Sequence, residues 1–328
     1  MIIERFDNGW GPEFPVKQIE TAWMYEYLRS FNDDAVITVV INSIWYTNDY
    51  HAQVMERLRK IRPRRIVLVA LLDCAIPQPE WYQEFDCEVI GVGCYAGASQ
   101  IDAWAMICGD YMRTPDGLLD GQHIDTAYMC LNRKPHWHRM QLYRQLEQYN
   151  LLDRGLVSMG GDNAPALRLL PNDRGQCDLA PNAGTQQNGI NNDIMSLGNP
   201  DNWRRCFLNV VTETVFDIER DIFGTEKIFK PMLGQRPFLV YAPNGAVNWL
   251  AQRGFQDYCS DFGDITDADP RQPHQMPQVI QALCDQTPEY WRHKFVALQE
   301  KIMYNYNRFQ AHAREQKTKI SKGIVCQP

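Results

Sequence analysis

The first third of the chain alternates short apolar runs with helical patterns. Residues 35–41, 65–72 and 87–92 are apolar and have the length of buried strands. Residues 50–61 and 99–111 have helical periodicity. Because buried strands that alternate with helices are typical of a parallel sheet, the pattern predicts an α/β fold.

The same alternation continues after residue 130. Residues 135–149 predict a helix, and 155–158 predict the beginning of the next strand. The apolar runs 206–211 and 237–242 predict two more buried parallel strands. Residues 160–203 are rich in Asn, Gly, Pro and Asp with little periodicity, which is typical of a loop that binds an acceptor or is simply flexible.

The C-terminal part has the clearest helical pattern. Thr287 is the predicted N-cap, and Pro288 occupies the first turn. Bulky side chains, mostly aromatic, then recur every three or four residues and predict a core-facing stripe: Trp291, Phe295, Leu298, Ile302, Tyr306 and Phe309. From Lys317 onwards we expect a loose tail.

Charge and helix chemistry meet in the TEK segment, which comprises Thr225, Glu226 and Lys227. With Thr225 as the N-cap and about 100° of rotation per residue, Glu226, Lys227 and Lys230 fall on one arc. The helix start then presents a carboxylate, two ammonium groups and unpaired backbone N–H groups. The opposite arc is apolar: Ile228, Phe229, Met232 and Leu233.

This helix start suits a nucleoside diphosphate sugar. Free N–H groups, the helix dipole and a first-turn lysine all attract phosphate, and Glu226 can accept hydrogen bonds from sugar hydroxyls. The segment follows a predicted strand, and doubly wound sheets bind ligands at the carboxyl ends of their strands. Asn244 and Gly245 precede a short helix predicted at 246–253 that starts at the same crevice. Pro231 lies inside the predicted helix, where proline removes a backbone hydrogen-bond donor and clashes with the preceding turn. Such exceptions occur at functional sites, and a plain kink explains this one equally well.

Composition limits the possible classes of protein. The 328 residues are 45% hydrophobic, which suffices for two domains. A net charge of −7 argues against electrostatic coating of nucleic acid. The basic cluster within 57–65 could nevertheless contact a phosphodiester backbone or be a solvated helix end: Arg57, Arg59, Lys60, Arg62, Arg64 and Arg65.

Cysteine usage and the chain start predict a reduced, cytoplasmic protein. The 10 cysteines form no close C-x-x-C pair, and the first residues do not resemble a signal peptide. The longest apolar run, 66–72, is too short to span a membrane. We therefore expect no membrane partner.

Three blocks of the sequence resemble glycosyltransferases of the GT-B type. They are F-x-TEK-x-x-K-P at 223–231, CLNRKPHWHRMQLYRQLEQYNLLDRGLVS at 130–158 and, more weakly, YCSDFGDITDADPR at 258–271. The resemblance is to uncharacterised phage and marine-bacterial members and, more distantly, to the α-1,3-fucosyltransferases. Together with the elements around them, the blocks cover most of 129–310, whereas 1–128 match only in general layout.

The resemblance implies an α/β fold with two Rossmann-like domains. The N-terminal domain, 1–128, would bind the acceptor, and the C-terminal domain, 129–310, would bind the nucleotide sugar. The terminal helix would span 288–314, followed by a tail at 315–328. The implied location is the cytoplasm of a bacterium or of a phage-infected host.

The resemblance also implies roles for individual residues. In the fucosyltransferases, the Glu and Lys of the TEK motif contact the donor, which carries over to Glu226 and Lys227. An arginine contacts the donor diphosphate, and here Arg133 and Arg139 are both candidates. The chain lacks the Asn-Ser and Tyr-Asp pattern around the fucosyltransferase motif, so GDP-fucose is not implied as the donor. UDP-sugars are among the candidates, and the nucleotide and the sugar stay open.

An inverting transferase needs a base that deprotonates the acceptor. Asp73, directly after the strand predicted at 65–72, has the best position, although it could instead cap the next turn. Asp49 and Asp102 are alternatives. A retaining enzyme would need no such base, and the sequence leaves the two mechanisms open.

The sequence predicts no metal and no cofactor besides the nucleotide-sugar co-substrate. His136 and His138 should point to different faces of a helix, and no further ligand lies at metal-binding spacing. We expect a metal-independent glycosyltransferase whose acceptor is a saccharide or another hydroxyl compound. The alternatives are transfer to hydroxymethylated pyrimidine bases of DNA, and a non-catalytic protein that binds a nucleotide or a glycan.

Overall fold

The structure is a computed structural model. It describes residues 101–132, 135–159, 197–213, 216, 224–242 and 245–321. Elsewhere it describes 3–6, 38–42, 65–70, 84–93, 186–187, 190–191 and single positions between 52 and 64.

The chain divides into two compact units. The first contains 1–106, 186–191 and 313–328, and the second contains 107–185 and 192–312. The boundary predicted at residue 128 lies within a strand of the second unit, Thr126–Asn132.

The first unit contains a five-stranded parallel sheet. Its strands are β1 (Ile3–Phe6), β2 (Thr38–Asn42), β3 (Arg65–Ala70), β4 (Glu88–Gly93) and β5 (Ile101–Asp102). They lie side by side in chain order, and each neighbouring pair is parallel. The strands predicted at 35–41, 65–72 and 87–92 are confirmed as β2, β3 and β4, with shifts at their ends.

The second unit contains a four-stranded parallel sheet. Its strands are β6 (Thr126–Asn132), β7 (Leu156–Met159), β10 (Cys206–Thr212) and β11 (Phe238–Tyr241). The spatial order is β11-β10-β6-β7, and all pairs are parallel. The chain adds β7 on one side of β6 and then returns to add β10 on the other. The direction of strand addition therefore reverses between β6 and β10, whereas no reversal occurs among the described strands of the first unit. A small antiparallel pair, β8 (Gln186–Gln187) and β9 (Ile190–Asn191), belongs to the first unit.

Seven α-helices lie within the described ranges. They are α1 (Ala103–Tyr111), α2 (Trp137–Gln148), α3 (Pro200–Arg205), α4 (Glu226–Leu233), α5 (Gly245–Gln252), α6 (Met276–Cys284) and α7 (Pro288–Ser321). Helices α2, α4 and α5 confirm the predictions at 135–149, 226–233 and 246–253. The segment predicted as a helix at 99–111 begins instead with β5 and becomes helical at Ala103.

The long C-terminal helix α7 covers the core of the second unit. Thr287 Oγ1 accepts a hydrogen bond from the Tyr290 N–H, as an N-cap does. Most of the predicted stripe is buried, and Tyr306 is half-buried. The helix continues past residue 314 to Ser321, because its last turns are anchored: Gln316 is buried and accepts a hydrogen bond from the Asp102 N–H. The expected loose tail from Lys317 is therefore wrong up to Ser321.

The observed fold is mixed α/β with parallel sheets. None of the described helices has an apolar stretch of the length that a bilayer crossing needs.

Candidate functional site

The candidate site lies at the carboxyl edge of the second-unit sheet. β6 ends at Asn132 and β10 at Thr212, and the order of strand addition reverses between these two strands. In open α/β sheets, ligands bind in the crevice that such a reversal creates. The Thr212 hydroxyl donates a hydrogen bond to Oδ1 of Asn132, which joins the two strand ends.

Helix α4 begins at this edge, and Thr225 caps it as predicted. The Thr225 Oγ1 accepts a hydrogen bond from the Lys227 N–H over 3.4 Å. Glu226 and Lys230, which the sequence places on a polar arc, are buried, so this arc packs inside the protein. The Lys227 side chain retains 27% exposure and is the part of this arc that solvent reaches. The apolar arc is buried as expected: Ile228, Phe229, Met232 and Leu233.

A carboxyl group that the sequence analysis missed organises the helix start. Glu213 directly follows β10 and is 1% exposed. Its Oε1 accepts a hydrogen bond from the Thr225 N–H over 3.2 Å, and its Oε2 lies 2.6 Å from the Thr225 Oγ1. Its place directly after a buried parallel strand was the signal that could have identified it.

The prediction of unpaired N–H groups at this helix start is wrong. The N–H of Thr225 bonds to Glu213, that of Lys227 to the Thr225 Oγ1, and that of Ile228 to the Thr225 carbonyl. Glu226 bonds its own backbone N–H through its carboxylate. Local sequence pattern could not show this, because the hydrogen bond to the Thr225 N–H comes from Glu213, directly after β10. An anion would therefore meet the Lys227 ammonium rather than a row of open N–H groups.

Glu226 and Lys227 form an ion pair at this edge. The Lys227 Nζ lies 2.7 Å from the Glu226 Oε1 and 3.4 Å from the Thr225 Oγ1. Burial by itself would raise the pKa of Glu226, but the charges of Lys227 and Lys230 lower it to about 2. Glu226 is therefore ionised at neutral pH.

Glu213 has the opposite tendency. Burial raises the pKa of its carboxyl group, and the negative charge of Glu226 raises it further. The charge of Lys227 and the hydrogen bonds from Thr225 offset only part of this effect. The site thus pairs a carboxylate that stays ionised with a carboxyl group that retains its proton to a higher pH.

Helix α2 supports the end of β10 from its first turn. The Arg139 Nη2 donates to the carbonyls of Thr212 and Glu213, over 3.2 and 3.0 Å. The His138 Nε2 donates to the Glu213 carbonyl over 2.8 Å. Arg139, a predicted diphosphate ligand, is buried here and holds the strand end next to Glu213.

His138 is a neutral imidazole at physiological pH. Burial, assisted by the charge of Arg139, lowers its pKa to about 4 against the effect of its bond to Glu213. Because Nε2 donates, Nδ1 is the acceptor nitrogen, and it is buried without a hydrogen-bond partner among the described residues.

The expectation that His136 and His138 point to different faces is wrong. Their rings are stacked, with centroids 6.0 Å apart and planes 9° from parallel. His136 is the residue before α2, with an extended backbone, so helical geometry does not apply to it. The ring of Phe216 also stacks on that of His138, with the two centroids 5.4 Å apart. Trp137 packs edge-on against Phe216 and remains 60% exposed.

Other predicted site residues are distributed as follows. Gly245 is the first residue of α5, shortly after β11 ends. Asp102 is buried and accepts a hydrogen bond from the Ala105 N–H at the start of α1, which is the role of a cap. In the portion of the chain that the structure describes, no three His, Cys, Asp or Glu side chains lie together as a metal site would need. Several candidates lie outside the described residues: Asp49, Asp73, Arg133 and Asn244.

Comparison with known proteins identifies no family. No protein-family model matches the chain, and no curated protein matches it significantly.

Proposed function

We propose that the chain is a glycosyltransferase of the GT-B type that binds its nucleotide-sugar donor at the TEK segment. In this proposal its two units are Rossmann-like domains, and the second unit holds the donor. The observation that carries the proposal is the partly exposed Lys227 ammonium at the strand reversal between β6 and β10, fixed between the Thr225 Oγ1 and the Glu226 carboxylate.

The charges around Lys227 suit a diphosphate that leaves during sugar transfer. Lys227 and Lys230 both act electrostatically on Glu226, so two cations accompany one fully ionised carboxylate. Fixed positive charge next to a departing diphosphate stabilises the negative charge that develops in the transition state. Glu226 is suited to accept hydrogen bonds from hydroxyls of the ribose or the transferred sugar. This division of roles needs no metal ion.

Thermal-shift measurements with UDP-, GDP-, CMP- and dTDP-sugars test the proposal. A ligand that binds only the folded state raises the melting temperature by mass action, so at least one of these donors should raise it. A binding donor should also be hydrolysed slowly without acceptor, which would separate an enzyme from a non-catalytic binding protein. If none of the four classes shifts the transition and none is hydrolysed, the proposal is wrong.

We propose a saccharide or another small hydroxyl compound as the acceptor, rather than DNA. Two members of the basic cluster are already in ion pairs, Arg59 with Glu84 at 2.9 Å and Lys60 with Glu56 at 2.6 Å. These exposed pairs reduce the positive charge available to phosphates. Tight binding to hydroxymethylated duplex DNA, weakening steeply with salt, would contradict this choice of acceptor.

A further inference from the structure

Glu213 combines burial with a direct connection to the proposed donor site. The Thr225 hydroxyl lies between its Oε2, at 2.6 Å, and the Lys227 Nζ, at 3.4 Å. A separation of 2.6 Å suits either direction of the hydrogen bond. The ionised carboxylate accepts from the Thr225 hydroxyl, whereas the neutral carboxylic acid donates to it.

The two directions have different consequences for an anionic ligand. When Glu213 is ionised, the Thr225 hydrogen is used inside the protein, and a buried negative charge opposes a diphosphate nearby. When Glu213 is neutral, its O–H donates to the Thr225 Oγ1, which then gives up the 3.4 Å bond from the Lys227 Nζ, so the Thr225 hydroxyl hydrogen and the Lys227 ammonium can both turn to a phosphate oxygen. The proton comes from solvent, and no covalent bond to the ligand forms or breaks.

We propose that Glu213 is a proton-linked positioning residue of the donor site: it takes up a proton when a diphosphate binds, and thereby turns Thr225 into a hydrogen-bond donor to the ligand. This inference rests on the proposed function. Glu213 holds the N-cap in place in both states, because its Oε1 accepts from the Thr225 N–H in each of them.

The groups that face Glu213 identify it as the carrier of this proton. From α4, the charges of Glu226 and Lys227 act on the carboxyl group of Glu213, and the charge of Lys230 acts on Glu226. From α2, His138 and Arg139 bond to its backbone carbonyl. Glu226 has a pKa of about 2 and His138 one of about 4. Burial raises the pKa of Glu213 above its ordinary 4.5, so of these three groups Glu213 takes up a proton at the highest pH.

Calorimetry with UDP-glucose and GDP-mannose tests the inference. Their diphosphate is a diester with no titrating group near neutral pH, so any proton that the complex takes up from the buffer on binding is bound by a group of the protein. Titrations in buffers of different ionisation enthalpy, repeated across a pH series, should show a maximum uptake of up to about one proton per bound ligand. Glu213→Gln should bind with no uptake, because its neutral amide can still bond to Thr225. Lys294→Ala, whose ion pair with Asp264 involves none of these groups, should retain the uptake.

Two variants of Thr225 provide a matched pair. Thr225→Ser retains the hydroxyl and should behave as the wild type, whereas Thr225→Val removes it and should lose affinity by roughly tenfold, the effect of one charge-assisted hydrogen bond. Binding without proton uptake, or equal uptake by wild type and Glu213→Gln, overturns the inference and leaves the proposed function standing. Absence of binding by any nucleotide sugar overturns the proposed function and the ligand coupling together, while the pH dependence of unfolding separately decides whether Glu213 retains its proton.

Discussion

The carboxyl group of Glu213 lies within hydrogen-bond distance of both polar groups of Thr225, the backbone N–H at 3.2 Å and the hydroxyl at 2.6 Å. In a capping box, a side chain three residues into the helix bonds the N–H of the cap residue. Ile228 occupies that position here and cannot do so, and Glu213 supplies the bond from the end of β10. The helix start is thereby tied to the sheet edge.

The first prediction concerns the pH dependence of stability. A carboxyl group whose pKa is raised in the folded state binds its proton more tightly there than in the unfolded chain. The free energy of unfolding therefore falls as pH rises above the ordinary pKa of 4.5. Glu213→Gln removes this effect, so its stability relative to the wild type should increase as the pH rises above about 4.5 and level off once Glu213 is ionised.

Urea denaturation of both proteins across this range measures the effect. Extending the urea series down to pH 2 makes Glu226→Gln a control of opposite sign, because the lowered pKa of Glu226 stabilises the fold above pH 4.5 and this contribution is lost as the pH falls toward 2. A constant difference between wild type and Glu213→Gln would show that Glu213 is ionised throughout.

The second prediction concerns Lys227. If the chain binds a nucleotide sugar as proposed, Lys227→Ala should weaken binding of its diphosphate by about 1.5 to 3 kcal/mol, the range for a charge-assisted hydrogen bond. It should also lower the free energy of unfolding, because Glu226 is left buried without its 2.7 Å partner. Affinity should therefore be measured by calorimetry well below the melting temperature.

Lys294→Ala is a matched control for Lys227. Lys294 is also a partly buried lysine in an ion pair, with Asp264 at 2.8 Å. The Lys294→Ala variant should leave the affinity for the proposed donor unchanged. Equal affinities of Lys227→Ala and Lys294→Ala for the donor would remove Lys227 from the site.

The third prediction concerns Gly224, which precedes the TEK segment. A Cβ at this position would lie 2.3 Å from the Trp249 ring. Trp249 in turn packs on Phe229, the aromatic side chain at the core of α4. Gly224→Ala should therefore destabilise the protein by about 1 to 3 kcal/mol through overpacking.

Gly263→Ala provides the comparison, because its Cβ would meet only an ordinary contact at 3.7 Å. Chemical denaturation of both variants measures the difference. Equal stabilities would indicate that Trp249 moves aside without cost.

The fourth prediction concerns Arg236, which is 1% exposed. Its guanidinium donates to the carbonyls of Cys206, Leu118 and Gln235 and lies 4.7 Å from the centroid of the Phe295 ring. Arg236→Met should cost roughly 3 to 5 kcal/mol of unfolding free energy, because three carbonyls lose their donor.

Arg205→Met tests whether this cost is specific. Arg205 forms an exposed ion pair with Asp125 at 3.0 Å, and such pairs contribute at most about 1 kcal/mol. Denaturant midpoints that shift equally in the two variants would contradict the structural role of Arg236.

Local pattern was sufficient to predict most elements of the second unit. The apolar runs at 206–211 and 237–242 became β10 and β11, and Thr225 and Thr287 cap their helices as expected. These features depend on side-chain periodicity and on hydrogen bonds within a few residues, which the sequence states directly.

Tertiary structure decided which groups meet at the sheet edge. The sequence analysis placed Glu226 and Lys230 on a polar arc, yet both are buried, because the protein covers that side of α4 as well. It also left the helix start open, whereas Glu213 bonds to Thr225, 12 residues along the chain. These contacts join the end of β10 to the start of α4, and local periodicity does not show them.

The sequence by itself determined the parallel strands, the capped helices and the charges of the TEK segment, because each arises from neighbouring residues. The fold decided how those charges behave. Burial raises the pKa of Glu213, two lysines hold that of Glu226 at about 2, and the supports from α2 fix the end of β10. These properties depend on desolvation and on distances between residues far apart in the chain, and only a folded chain has either.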